Sequence, residues 1–168
     1  YQAHGIVPDM MTFAKGVGNG LALGGVVGRA EVMEAMPANS ISTFGGNPIA
    51  SAGAIATINY MLEHDTQKNS KEMGERLSEG ISKTVSDSPV IAEIRGRGLM
   101  LAIETVIPDS IEPNAPAAAQ LMEATRAAGL LIGKGGLYGN VIRIAPPMTV
   151  TADEIDEGIA ILNEAIRI

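Results

Sequence analysis

Residues Asp9 to Gly20 read DMMTFAKGVGNG, a short apolar run that ends in a single lysine, Lys15, and breaks at once into glycines at 16, 18 and 20. This order constrains the fold more than any other feature of the chain. The run from Met10 to Ala14 predicts a strand, and Leu21 to Gly28 a second one bracketed by glycines, both expected to be interior. An ammonium at the end of a buried strand is costly unless it is paired, neutralised or used covalently. An ordinary lysine escapes that cost by extending its stem to water. Three glycines argue for a further demand, because they let the backbone come close to something bound beside Lys15. A dinucleotide loop is excluded, since the G-x-G-x-x-G order and the helix that should follow it are both missing.

Composition narrows the classes. The 168 residues are 46% hydrophobic, enough for one ordinary domain or two small halves. Nineteen acidic against 12 basic residues give a net charge of −7, so a phosphate backbone is repelled and nucleic acid is not an expected partner. There is no cysteine, which removes disulfides and thiolate chemistry, and the two histidines, His4 and His64, fall in separate predicted elements, so no metal site is expected. The longest apolar runs are far shorter than the roughly 20 residues of a membrane span. The reading is a cytoplasmic protein with no membrane association. The chain starts at Tyr1, without a methionine, and is read as a piece of a longer protein.

Along the chain, Arg29 to Met36 predicts a short helical turn closed by Pro37, and ANSISTFGGNP a loop. Asn47 and Pro48 suit the cap and first position of a helix whose Ala, Gly and Ser residues allow close packing. A second helix spans about Asn69 to Val85, with Met73, Leu77, Ile81 and Val85 as an apolar stripe. After SDSP come strands at Val90 to Ile94 and Leu99 to Val106, and a helix near Ala115 to Ala128 stopped by Gly129. Further strands follow at Leu130 to Ile132 and Val141 to Ile144. PNAPAAA, around Pro113 to Ala119, is taken as a linker. The last helix opens on Thr151-Ala-Asp-Glu154, a capping box. A boundary is placed near Ser86, giving segments 1–86 and 87–168.

Two further residues stand out. Thr43, in STFGGNP, combines a hydroxyl with free backbone N–H groups and a helix N-terminus, which suits a phosphate; a plain turn hydroxyl is the equal alternative. Arg143, in NVIRIAPP, alternates with Ile142 and Ile144 and so faces away from them, where a guanidinium grips either a substrate carboxylate or one of the chain's own acids. Arg95 and Arg97 are read as turn or domain-interface residues and Lys134 as a solvated loop tip.

A lysine, a phosphate cradle and a carboxylate-gripping arginine together suggest a pyridoxal phosphate enzyme acting on amino acids. PDMMTFAKGVGNG, STFGGNP, RGRGLMLAIE and IRIAPPMTVTADEI resemble four successive signatures of the class III (ω-amino acid type) aminotransferases, in the family's order and over nearly the whole chain. The resemblance implies a fold type I α/β and α+β architecture: the C-terminal part of the large pyridoxal phosphate-binding domain in 1–86, and the small C-terminal domain in 87–168. It further implies that Lys15 is the Schiff-base lysine, that Thr43 contacts the cofactor phosphate of the neighbouring subunit of a homodimer with a shared site, and that Arg143 binds the substrate carboxylate. Ala22 stands where the family often has proline. The implied activity is transamination between an amino acid or ω-amino donor and a 2-oxo acid. The same fold and lysine also serve aminomutases and racemases. By the same resemblance, the phosphate-binding Gly/Ser turn, the ring-stacking aromatic and the aspartate facing the pyridine nitrogen precede Tyr1, so the 168 residues alone are expected to be an inactive, non-catalytic fragment.

Overall fold

A computed structural model describes residues 1–167. They form two compact units, Tyr1–His64 and the chain from Asp65 onward.

In the first unit, strands β1 (Met10–Ala14) and β2 (Gly24–Gly28) pair antiparallel, from Met10 opposite Gly28 to Ala14 opposite Gly24. A 3-10 turn, Lys15–Gly18, leaves β1 directly, and the short helix α1 (Ala30–Glu34) follows β2. The Phe13 ring lies over Gly25, where a Cβ would stand 2.5 Å from it. The expectation that both strands are interior is not met: all five residues of β1 are exposed, and so are Val26 and Val27 of β2. The two strands form a ribbon of their own, and no layer among the described residues covers it.

Helix α2 (Pro48–Glu63) begins as its sequence predicts, with Asn47 Oδ1 accepting from the Ala50 N–H at 3.0 Å and Pro48 in the first turn. Its small residues do pack closely. Ala50 and Ala54 are buried, α2 rests on the Lys15–Gly18 turn, and a Cβ on Gly53 would fall 2.3 Å from Leu21 Cδ1.

The second unit is an antiparallel sheet in the order β3-β4-β6-β5, formed by β3 (Ile91–Arg97), β4 (Met100–Thr105), β5 (Gly133–Gly135) and β6 (Val141–Ile144). Helices α3 (Thr66–Asp87), α4 (Ala115–Ala127) and α5 (Ala152–Ala165) cover one face. Leu77, Ile81 and Val85 of α3, Leu121 of α4, and Ile155 and Leu162 of α5 meet Leu101, Ile103, Ile142 and Ile144 in one core. Each such aliphatic side chain contributes about 1.5–3 kcal/mol when fully buried. The capping box of α5 is present, with Thr151 Oγ1 accepting from the Glu154 N–H and the Glu154 carboxylate accepting from the Thr151 N–H.

The compact units divide after His64, because the α3 stripe is buried against the second sheet and carries the whole helix with it. Three features differ from expectation. The supposed linker is the start of α4: Asn114 Oδ1 accepts from the Ala117 N–H at 3.1 Å, and Pro116 occupies the first turn, where its missing donor costs nothing. The strand expected at Leu130 to Ile132 forms three residues later, as β5. Arg95 and Arg97 are strand residues of β3, and only Gly98 and Leu99 make the turn to β4.

Candidate active site

Lys15 is exposed at the end of β1, and its backbone is unusual. Ala14 is extended, with φ −164° and ψ −168°, and Lys15 then swings to φ 56°. The left-handed region costs a residue with a side chain about 1–2 kcal/mol, and strain of this kind clusters at functional sites. No ion pair or hydrogen bond among the described residues engages Lys15 Nζ. The three glycines differ in their surroundings. Gly20, at φ 101°, is required by its conformation, whereas Gly18 is buried but a Cβ added there would meet Leu23 Cβ at 3.6 Å, an ordinary contact. At Gly16 the φ is unexceptional and a Cβ would meet nothing within 4 Å.

Thr43 opens an exposed turn, Thr43 to Gly46, in which the Gly45 N–H donates to Ser42 O and Asn47 Nδ2 donates to Phe44 O at 3.0 Å. Asn47 also caps α2, so the helix's Ala50 N–H is occupied. No hydrogen bond among the described residues uses the Thr43 hydroxyl or the N–H groups of Thr43, Phe44 and Ile49. A hydroxyl and several donors thus share one short loop. Phe44 and Ile41, 79% and 97% exposed, project from it.

Arg143 lies in the second unit, on β6. Ile142 and Ile144 on either side are buried and Arg143 faces out, as the alternation predicts. It forms no ion pair among the described residues, so the structural pairing considered as the alternative is not made here. Gly133, opposite it on β5, provides its berth: a Cβ there would stand 3.6 Å from Arg143 Nε. Lys15 and Thr43 belong to the first unit, with no hydrogen bond between them, and Arg143 to the second.

The sequence reading missed a polar cluster on the same sheet face. Arg95 Nη1 donates to Glu93 Oε1 at 2.6 Å and to Glu104 Oε2, while Asn140 Nδ2 donates to Glu104 Oε1 at 3.2 Å and to Thr105 O at 3.0 Å. The Arg95 hydrogen bond, and then that from Asn140, hold the Glu104 carboxyl below the usual carboxylate range; Glu104 and then Glu93 raise the Arg95 guanidinium. The alternation of Glu93, Arg95 and Arg97 along one strand face was the available signal.

A family model described as aminotransferase class-III matches residues 1–166. The chain belongs to the class-III aminotransferase family. It is 40% identical over 161 residues to the 5-aminovalerate aminotransferase DavT of Pseudomonas putida, covering 95% of this chain and 38% of that protein. It is 32% identical over 162 residues to an alanine/serine racemase of Pyrococcus horikoshii, covering 96% of this chain and 34% of that protein. Among solved structures, a phospholyase from Arthrobacter in complex with phosphoethanolamine superposes with a TM-score of 0.92 at 28% identity, over 99% of this chain and 40% of that one. This class-III chain has the mixed helix and sheet architecture of a fold type I segment. It thus spans between about a third and two fifths of the length of these relatives. No helix among its described residues is long and apolar enough to cross a membrane.

Proposed function

We propose that this chain is the C-terminal portion of a pyridoxal phosphate-dependent aminotransferase that moves an amino group from an amino acid or ω-amino donor to a 2-oxo acid. The observation that carries the reading is Lys15: an amine with no partner among the described residues, on a left-handed backbone at a strand end beside the open space at Gly16. The residues present fit the cofactor. Lys15 Nζ would hold its aldehyde carbon, and Thr43 Oγ1, with the unused N–H groups of its turn, would receive the phosphate. When bound, pyridoxal phosphate supplies a carbonyl that condenses with amines and a conjugated ring that accepts electrons.

The chain's own residues then divide the work. Lys15 Nζ would take the proton from the amine-bearing carbon of the donor, as general base, and deliver it as general acid to the carbon that had been the cofactor's aldehyde. Arg143 orients the substrate by gripping a carboxylate with two parallel hydrogen bonds. The exchange needs no external oxidant, because the donor leaves as an oxo compound while the 2-oxo acid leaves as an amino acid. The Pseudomonas putida relative is named for 5-aminovalerate, which carries both an amine and a carboxylate, the two groups proposed here for Lys15 and for Arg143.

We read the whole protein as a cytoplasmic homodimer in which Thr43 serves the neighbouring subunit's site, with 1–86 ending a large cofactor domain and 87–168 forming a small one. The exposed Thr43 turn, with Phe44 and Ile41 uncovered, supports the shared site. The racemase relative favours a second reading, racemisation through the same lysine. A racemase inverts an amino acid without consuming a 2-oxo acid, so stoichiometric conversion of added 2-oxo acid separates the two.

The test is borohydride treatment of the full-length, cofactor-loaded protein followed by peptide mapping. Covalent cofactor on Lys15 is expected; attachment to any other lysine overturns the proposal.

A further inference from the structure

We infer that Arg95 is a positioning residue for Arg143: by engaging Glu104 and Glu93 it keeps the acids of the sheet face away from the Arg143 guanidinium and leaves that group open to a carboxylate. The inference rests on the substrate role proposed for Arg143.

The sheet register carries the argument. Ala102 on β4 has Arg95 of β3 as its partner on one side and Arg143 of β6 on the other. Glu104, two residues along β4, points to the same face and is therefore diagonal to both arginines. Diagonal neighbours on a sheet face are about 7–8 Å apart, within reach of long side chains. Glu104 could pair with either arginine, and it pairs with Arg95. Its second oxygen accepts from Asn140 Nδ2, so each oxygen already has a donor other than Arg143. Glu93, the face's other acid, is also bound by Arg95. The Arg143 guanidinium meanwhile lies beside Gly133 on β5, the strand on the far side of β6 from Glu104. One arginine thus occupies both nearby carboxylates, and the other makes no ion pair among the described residues.

Removing Arg95 should redirect Glu104 to Arg143, where it competes with the substrate. In full-length Arg95→Gln enzyme, KM for 5-aminovalerate is expected to rise roughly threefold to fivefold, the range of a partly exposed ion pair, with kcat nearly unchanged. kcat/KM for pentylamine, which lacks the carboxylate, should not move. The Kd of valerate, measured by calorimetry, should weaken in parallel. Adding Glu104→Gln to Arg95→Gln should restore both constants. A folded Arg95→Gln enzyme with unchanged KM and Kd, or a rise that Glu104→Gln does not relieve, overturns the inference. If Arg95→Gln does not fold, Arg95→Lys replaces it. A smaller rise cancelled by Glu104→Gln then supports the inference, and no rise overturns it. Arg143→Gln is the control on the underlying reading. If it leaves carboxylate donors unaffected, the substrate role itself fails; if it impairs them while Arg95→Gln does not, only the role of Arg95 fails.

Discussion

Gly74 of α3 and Gly98 of the β3–β4 turn lie backbone to backbone: a Cβ on Gly74 would stand 2.1 Å from the Gly98 carbonyl oxygen. The Leu99 N–H donates to Ser70 Oγ on the same helix at 3.3 Å, so helix and turn are joined at two points one turn apart. Gly74→Ala must push the two apart, and overpacking of this kind costs about 1–3 kcal/mol. A lowered Tm and an earlier urea midpoint are expected; unchanged values would mean that the turn yields freely.

Thr43→Ala should weaken cofactor retention. Losing a hydrogen bond to a charged group costs roughly 1.5–3 kcal/mol, about tenfold or more in the cofactor dissociation constant. If Thr43 serves the neighbouring subunit, mixing inactive Lys15→Ala protein with impaired Thr43→Ala protein should raise activity above that of Thr43→Ala alone, through hybrid dimers holding one intact site. Absence of recovery after verified subunit exchange argues against sharing.

Arg143→Lys should sharply lower kcat/KM for carboxylate-bearing donors and leave simple amines largely unaffected, because a point ammonium cannot reproduce a guanidinium fork. The comparison is kcat/KM for an amino acid and its decarboxylated amine, alongside Tm. Equal losses for both donors with a lowered Tm would assign Arg143 to the scaffold.

Stability should fall on acidification. Asp156 is held below its ordinary value, first by the hydrogen bonds from Arg76, with Nε to Oδ1 at 2.6 Å, and Glu104 is held low by Arg95. A carboxyl with a depressed folded value contributes stability above its ordinary range, and that contribution disappears as pH falls through the folded value. Tm measured from about pH 6 to pH 2 should decline below about pH 4, the ordinary carboxylate range. Arg76→Gln, which removes one of these contributions, should make the decline shallower; an unchanged slope would deny the Asp156 pair a share.

Much was legible in the sequence because it is written within a few residues. Met10–Ala14 ending on Lys15, the Asn47 and Thr151 caps, and the alternation that turns Arg143 outward between Ile142 and Ile144 each depend on local periodicity or on a donor three residues away. The four signatures around Lys15, Thr43, Glu104 and Arg143 were likewise readable as strings, and with them the family. Which partner each element chooses is not local. The α3 stripe shows that the helix buries a face, but only the folded chain joins it to the second sheet and so divides the compact units after His64. PNAPAAA reads as a linker until the Asn114 cap engages the Ala117 N–H. The left-handed backbone at Lys15, in the turn that packs against α2, and the conformational need for glycine at position 20 follow only from the folded chain. Glu104 is a single acid in the sequence. Only the register of β3, β4 and β6 sets it between two arginines, and only the tertiary structure assigns it to Arg95, because competition among charges is decided by three-dimensional distance and not by spacing along the chain.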